Sequence, residues 1–284
     1  MFEQVHSDLL DRVHNANFYL LKQFDKICSD NGINYFLDSG TLLGAVRHQD
    51  FIPWDDDVDV IVFASDYSRL MDVLRKKLPD DIELVEYTDY KDYFLDFIDC
   101  ITLKDTVLRS DKYIEDDYLQ KRNRVSLDLF ILEDASVFSL YSTIKIAMRK
   151  VIYGLAMGRR KKIDYIKYSW IELIVIFILA SFGKLLPLNI IYFLHRWTIN
   201  KRKPVSDTNC LCVNHLFLQL SCVFRFAWFS KPGIGVIRGN EFPIPNNYDS
   251  VLTKMYGKYM EYPPEEKRIP FHVSETTIIP DKFS

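Results

Sequence analysis

The chain of 284 residues lacks any uninterrupted apolar run of the ~20 residues that a membrane-spanning helix needs. Its two most apolar stretches, 173–182 and 185–194, are bounded or broken by Glu172, Lys184 and Pro187. A basic excess is also missing. With 36 Lys and Arg against 39 Asp and Glu, the net charge of −3 argues against general nucleic-acid binding, which leaves a basic footprint. The first residues, M-F-E-Q-V-H-S-D, have neither a charged leader nor an apolar core, so no secretory signal is read there and a cytoplasmic setting is expected. The five cysteines form no obvious paired framework. Cys210, Cys212, His215 and Cys222 do cluster, but their spacing is not a common structural zinc pattern, and cysteine packs well as a small hydrophobe. Buried cysteines are the preferred reading there. No internal repeat and no low-complexity linker is found.

What is present is ample apolar material: 48% of residues, enough for one large domain or a domain with a sizeable insertion. Apolar residues at Val5, Leu9, Val13, Ala16, Leu20, Phe24 and Ile27 step by three and four, which predicts an amphipathic helix over 3–30 stopped by Asn31-Gly32. A buried strand over 33–38 follows. Another helix starts at Ala64-Ser65, with Asp66 in its first turn, Lys76 and Lys77 in its last, and Pro79 beyond. Strands are expected near 82–87, 94–101 and 125–132. Helix and strand alternating in this way predict an α/β or α+β architecture. From Ser136 the character changes to apolar helices, 138–155 and then the 173–182 and 185–194 pair, with Arg159-Arg160-Lys161-Lys162 between. That pair reads as core or groove-lining helices in preference to the alternative, a peripheral patch lying on a membrane face. The Pro- and Gly-dense stretch 231–245 reads as loop or edge strand, and 248–260 as a last helix before Pro263-Pro264.

The densest chemistry lies in 36–62, F-L-D-S-G-T-L-L-G-A-V-R-H-Q-D-F-I-P-W-D-D-D-V-D-V-I-V. Ser39-Gly40-Thr41 opens a short helix, and a Gly-containing turn before a helix offers backbone N–H groups to an anion. In D-V-D-V-I-V, strand alternation puts Asp57 and Asp59 on one face and turns Val58 and Val60 to the core. Two carboxylates so placed repel each other unless a cation lies between them. Hard oxygen ligands suit Mg²⁺ or Mn²⁺, which also bind substrate phosphates. Asp55 and Asp56 read as loop acids, and Trp54 as a packing residue. Turn plus carboxylate pair therefore points to metal-dependent phosphate transfer.

These residues resemble the signature of the LicD family, which includes the fukutin-related proteins. The likeness runs over 37–61, including Arg47, His48 and I-P-W-D-D-D-V-D. It extends to V-S-L-D-L-F-I-L at 125–132 and to M-Y-G-K-Y-M-E-Y-P-P-E-E-K-R at 255–268. The proline that often follows the family's third acid is missing from Ile131-Leu132. The resemblance implies a nucleotidyltransferase-like α+β fold: a mixed sheet flanked by helices, with a helical insertion. With the change of character at Ser136, the chain divides into a catalytic core at 1–135, a helical subdomain or insertion at 136–230 and a C-terminal segment at 231–284 expected to return to the core. The resemblance further implies that Asp57, Asp59 and Asp128 are catalytic carboxylates and ligands of Mg²⁺ or Mn²⁺. Ser39, Gly40, Thr41 and Arg47 would hold the nucleotide's phosphates, and Arg268 would approach the same site. The implied reaction moves a phospho-alcohol such as phosphocholine from a CDP-alcohol donor to a sugar hydroxyl of a cell-surface glycan or its lipid-linked precursor, without nucleic acid. A true nucleotidyltransferase releasing pyrophosphate and an inactive glycan-binding scaffold are the alternatives.

Overall fold

A computed structural model describes residues 2–90, 93–108, 121–135, 139–160, 170–204, 208–215, 217, 219–274 and 276–284. Helix α1 (Phe2–Asp30) carries the predicted apolar stripe, and Val13, Ala16, Leu20 and Phe24 are fully buried. Strand β1 (Tyr35–Leu37) leads into α2 (Ser39–Arg47), β2 (Val58–Phe63) and α3 (Ala64–Lys77). Strands β3 (Ile82–Val85), β4 (Asp99–Leu103) and β5 (Ser126–Asp134) complete one run of the sheet in the order β1-β2-β5-β4-β3. Strands β2 and β5 are parallel, while β1–β2, β5–β4 and β4–β3 are antiparallel. The sheet is therefore mixed and helix-flanked, as an α+β nucleotidyltransferase-like fold requires.

Two elements depart from the sequence reading around this sheet. The strand expected at 94–101 begins only at Asp99. Phe94 and Phe97 turn away into a second hydrophobic core, the Phe94 N–H donates to the Arg159 carbonyl, and Asp96 accepts the Ile98 N–H. Strand β5 runs two residues further than expected because Glu133, fully buried, is paired with Lys145 (3.0 Å) and Arg149 (2.7 Å) of the next helix. Burying a carboxylate is costly unless it is paired and hydrogen-bonded. Two cations and the Asn200 N–H meet that need here.

Helices α4 (Ser139–Met157), α5 (Trp170–Gly183) and α6 (Leu188–Trp197) follow. They build the second core with Tyr87, Phe94 and Phe97. The start of the expected 138–155 helix and Lys161-Lys162 lie outside the described residues. The chain then returns to the sheet through β6 (Asn209–Cys212) and β7 (Val223–Arg225), two strands missed in the stretch expected to be helical. The segment expected to be loop or edge strand is a hairpin of β8 (Pro232–Ile237) and β9 (Asn240–Pro245), turning at Arg238-Gly239, both with positive φ. Helix α7 (Tyr248–Tyr256) stops short of Met260 at Gly257, whose φ is 68°.

One side chain joins the late strands to the early ones. Strand β4 pairs with β5 over Ser126–Leu129, and β6 pairs with it from Leu132 onward. Asn214 fills the gap between them. It accepts from the Ile131 N–H (2.8 Å) and donates to the carbonyls of Leu129 (2.9 Å) and Phe97 (3.3 Å). Asn214→Ala leaves these buried backbone groups without partners, at about 1–3 kcal/mol for each group that stays unsatisfied. The variant is expected to lose about 2–4 kcal/mol in urea denaturation. A loss below about 1 kcal/mol would show that water replaces the amide without penalty.

Candidate active site

The parallel register of β2 and β5 sets Asp59 directly beside Asp128. Alternation along β2 places Val58, Val60 and Val62 in the core, fully buried, and Asp59 on the opposite face. Antiparallel β1–β2 pairing sets Leu37 opposite Val60, so Asp38, one residue on, falls beside Asp59, and its N–H donates to the Asp59 carbonyl (3.0 Å). Asp38, Asp59 and Asp128 thus form one row across three neighbouring chain segments. Upstream of β2 the same alternation persists in extended chain. Asp55 and Asp57 share a hydrogen bond beside Asp59. Asp56 turns the other way and accepts the backbone N–H groups of His272 (2.5 Å) and Val273 (2.8 Å), pinning the C-terminal segment.

Burial and so much negative charge in one place raise the proton affinity of four of these carboxylates. Asp59 is held well above the usual carboxylate range, first by burial and then by Asp57, Asp128, Asp38 and Asp55. Burial and Asp57 likewise raise Asp55, which keeps the proton it shares with Asp57. Burial pushes Asp57 and Asp128 up to about 6. Among the described residues two basic side chains approach these carboxylates. The Arg122 guanidinium lies 3.8 Å from Asp128 while it bonds Asp96 (3.0 Å) and the Cys100 sulfur (2.8 Å). His272 Nε2 lies 3.7 Å from Asp57. Tyr256 ends α7 near these carboxylates, and burial of its hydroxyl, then Asp59, Asp38, Asp55 and Asp57, raise its proton affinity well above the ordinary tyrosine value.

The donor set is all carboxylate oxygen, which fits a hard divalent cation such as Mg²⁺ or Mn²⁺ in its chemistry. The raised carboxylates are what a row of ligands looks like when its charge is not neutralised. Among the described residues no group of three or more His, Cys, Asp or Glu side chains is already placed to hold a metal ion.

The predicted phosphate-binding residues divide. Ser39 begins α2 with φ 47°, and its hydroxyl donates to Asp38 (3.3 Å). Asp38 is the N-cap residue, but its carboxylate accepts from His215 (2.8 Å) instead of capping helix amides. The α2 N-terminus is therefore without a side-chain cap, as an anion-binding end needs. A Cβ on Gly40 would stand 2.1 Å from Asp55 Oδ2, so the missing side chain admits a carboxylate. Thr41 is buried, and its hydroxyl accepts the Asp59 N–H (2.9 Å), fixing the start of β2 against α2. Arg47 stands at the far end of α2 and is not brought to the carboxylates. It donates to the Tyr259 carbonyl (2.8 Å) and to His48 (3.0 Å) and stacks on Tyr262 (4.7 Å). Arg268 joins the same cluster, over Trp54 and Tyr262. Together these rings and guanidiniums clasp the C-terminal block to the Pro53-Trp54 corner.

His215, Tyr256, Arg122 and His272 were missed as site residues. His215 did stand out in the sequence, within a cysteine cluster. In the fold Cys210 and Cys212 are buried core residues, and His215, 1% exposed, holds Asp38 and packs on Phe130. Its Nδ1 is buried and has no hydrogen-bond partner among the described residues.

Residues 32–141 match the LicD/FKTN/FKRP nucleotidyltransferase domain. The chain is 26% identical over 269 residues to the lipopolysaccharide cholinephosphotransferase LicD of Haemophilus influenzae, covering 92% of this chain and 94% of that protein. It is 54% identical over 35 residues, 12% of this chain and 7% of the relative, to the ribitol 5-phosphate transferase FKRP of Homo sapiens. It is also 44% identical over 57 residues, 20% of this chain and 21% of the relative, to the uncharacterized protein RP689 of Rickettsia prowazekii.

Asp128 has a folded pKa of about 6 against an ordinary 3.8, so the native state binds its proton more tightly than the unfolded chain. Stability attributable to this group is present below the ordinary value and lost as pH rises toward the folded one. In divalent-free buffer at about pH 7.5, Asp128→Asn is expected to be more stable than wild type by about 1–2 kcal/mol, with the gap closing near pH 4. A less stable variant at the higher pH would show that Arg122 outweighs burial.

Proposed function

We propose that this chain, which carries a LicD-family nucleotidyltransferase domain, is a transferase that moves a phospho-alcohol from a CDP-activated donor to a sugar hydroxyl of a glycan. The observation that carries the reading is the pairing of Asp59 with Asp128, flanked by Asp57, Asp55 and Asp38. Its relatives are named as transferases of cholinephosphate to lipopolysaccharide and of ribitol 5-phosphate. Those names agree on phosphate-linked alcohols and differ in the alcohol.

In this reading Asp57, Asp59 and Asp128 hold Mg²⁺ or Mn²⁺. The cation supplies charge neutralisation and in-line alignment for phosphoryl chemistry. The other roles belong to the protein. The first turn of α2, opened by Ser39 and Gly40, meets the donor's phosphates with backbone N–H groups. Thr41 keeps that turn in register with β2. Asp128 takes the proton of the acceptor hydroxyl as its oxygen bonds to the distal phosphorus. The bond from that phosphorus to the CMP oxygen breaks, and CMP leaves with the electron pair. Arg122, His272 and the Tyr256 hydroxyl balance negative charge as it shifts across the site. Arg47, clasped to the C-terminal block, is assigned no contact with the phosphates.

Asp57→Asn and Asp59→Asn are each expected to lower turnover at least ~100-fold while the melting temperature stays at or above the wild-type value. EDTA should abolish transfer, and added Mg²⁺ should restore it. Release of CMP, with phosphodiester-linked product, distinguishes this reaction from release of pyrophosphate by a nucleotidyltransferase. Near-native turnover of either variant at saturating Mg²⁺ would contradict the assignment.

A further inference from the structure

From Leu173 onward helix α5 is almost wholly apolar around its circumference, yet among the described residues its partners lie on one side. Ile176 and Ala180 face the second core. Helices α4 and α5 touch backbone to backbone there: a Cβ on Gly183 would meet the Leu155 carbonyl, and one on Gly158 the Ala180 carbonyl. The helix is therefore firmly seated, and its outer face is fixed outward. On that face Phe177 is 73% exposed, and Trp170 and Phe182 stand beside it, also exposed. Leu185 (79%), Phe193 (65%) and Trp197 extend the bare surface across the bend into α6. The sequence reading of this pair as core or groove-lining helices holds for the inner side alone. An apolar surface of this kind marks an interaction site, and a helix apolar all round belongs in an apolar medium.

Charge identifies that medium. Residues 135–206 contain thirteen Lys or Arg and two Asp or Glu; with Lys145 and Arg149 buried against Glu133, a net of +9 remains in a chain whose total is −3. The stretch 173–206 has no acidic residue at all. Lys184, at the bend, and Lys201, Arg202 and Lys203, just past α6, are exposed. No single described helix is long and apolar enough to cross a bilayer, and α5 and α6 meet at a 115° bend across the break that holds Lys184 and Pro187. We propose that the outer face of α5–α6 lies in the surface of an anionic phospholipid bilayer, apolar side chains among the acyl chains and lysines at the headgroups, with Trp170 and Trp197 at the boundary.

The test is sedimentation of the full chain with phosphatidylglycerol–phosphatidylcholine vesicles, with phosphatidylcholine vesicles and with none, at about 50 and 500 mM NaCl. The inference expects at least ~5-fold more pelleting with the anionic vesicles at low salt, and a fall at high salt. Phe177→Glu/Phe193→Glu should lose the binding and keep the wild-type melting curve, since both side chains are solvent-facing. Leu185→Glu serves the same purpose if the double variant does not fold. No pelleting at low salt, equal pelleting of wild type and folded variants, or release by detergent but not by salt would each overturn it. So would a dimer, seen by light scattering, that the variants dissolve, because the face would then belong to a second copy of the chain.

Discussion

The parallel pairing of β2 with β5 is the constraint on which the rest of the site depends. It sets Asp59 beside Asp128, and a slip of one residue would turn one of the two carboxylates into the core. The register is held from both sides. Val58, Val60 and Val62 alternate with Asp59, and Leu127, Leu129 and Ile131 with Asp128, all six fully or nearly fully buried. Slipping either strand would expose three large apolar side chains and bury an unpaired charge. The same hydrophobic force that folds the sheet therefore holds the carboxylates together against their mutual repulsion. The elevated proton affinities of Asp55, Asp57, Asp59 and Asp128 record that tension.

Much of this geometry was legible in the sequence because it is local. Alternation within 57–62 and 127–132 is a two-residue period that any strand expresses, and the stripe of α1 is a helical period of the same plain kind. The order of elements pointed to an α/β or α+β fold, and the mixed sheet came only with the resemblance to the LicD family. Asp38 was harder to see as a site residue. It closes an apolar strand and looks like an ordinary helix cap, and only its backbone bond to Asp59 and its contact with His215 reveal its place in the row.

What the sequence could not display is long-range. His215 is 177 residues from Asp38, and Tyr256 and His272 reach the site from the far end of the chain. None sits in a periodic pattern that would announce a partner. Glu133 lies just past the expected strand, and only the approach of Lys145 and Arg149 compensates for its burial. Strands β6 and β7 are three or four residues long and lie after a run of apolar helices, too short to carry a period. The structure gives Arg47 partners outside the carboxylate row. Its neighbours in sequence are site residues, but nine residues of helix separate the two ends of α2 and turn its guanidinium to the C-terminal block.

The central claim is that this carboxylate row is a cation site and not merely a strained acidic cleft. Anomalous diffraction from a crystal soaked in Mn²⁺ tests it without reference to any reaction. The account predicts a manganese peak bounded by the carboxylates of Asp57, Asp59 and Asp128, absent from an Asp59→Asn crystal. A cleft that remains free of manganese at saturating concentration, or a peak that persists unchanged in Asp59→Asn, would contradict it.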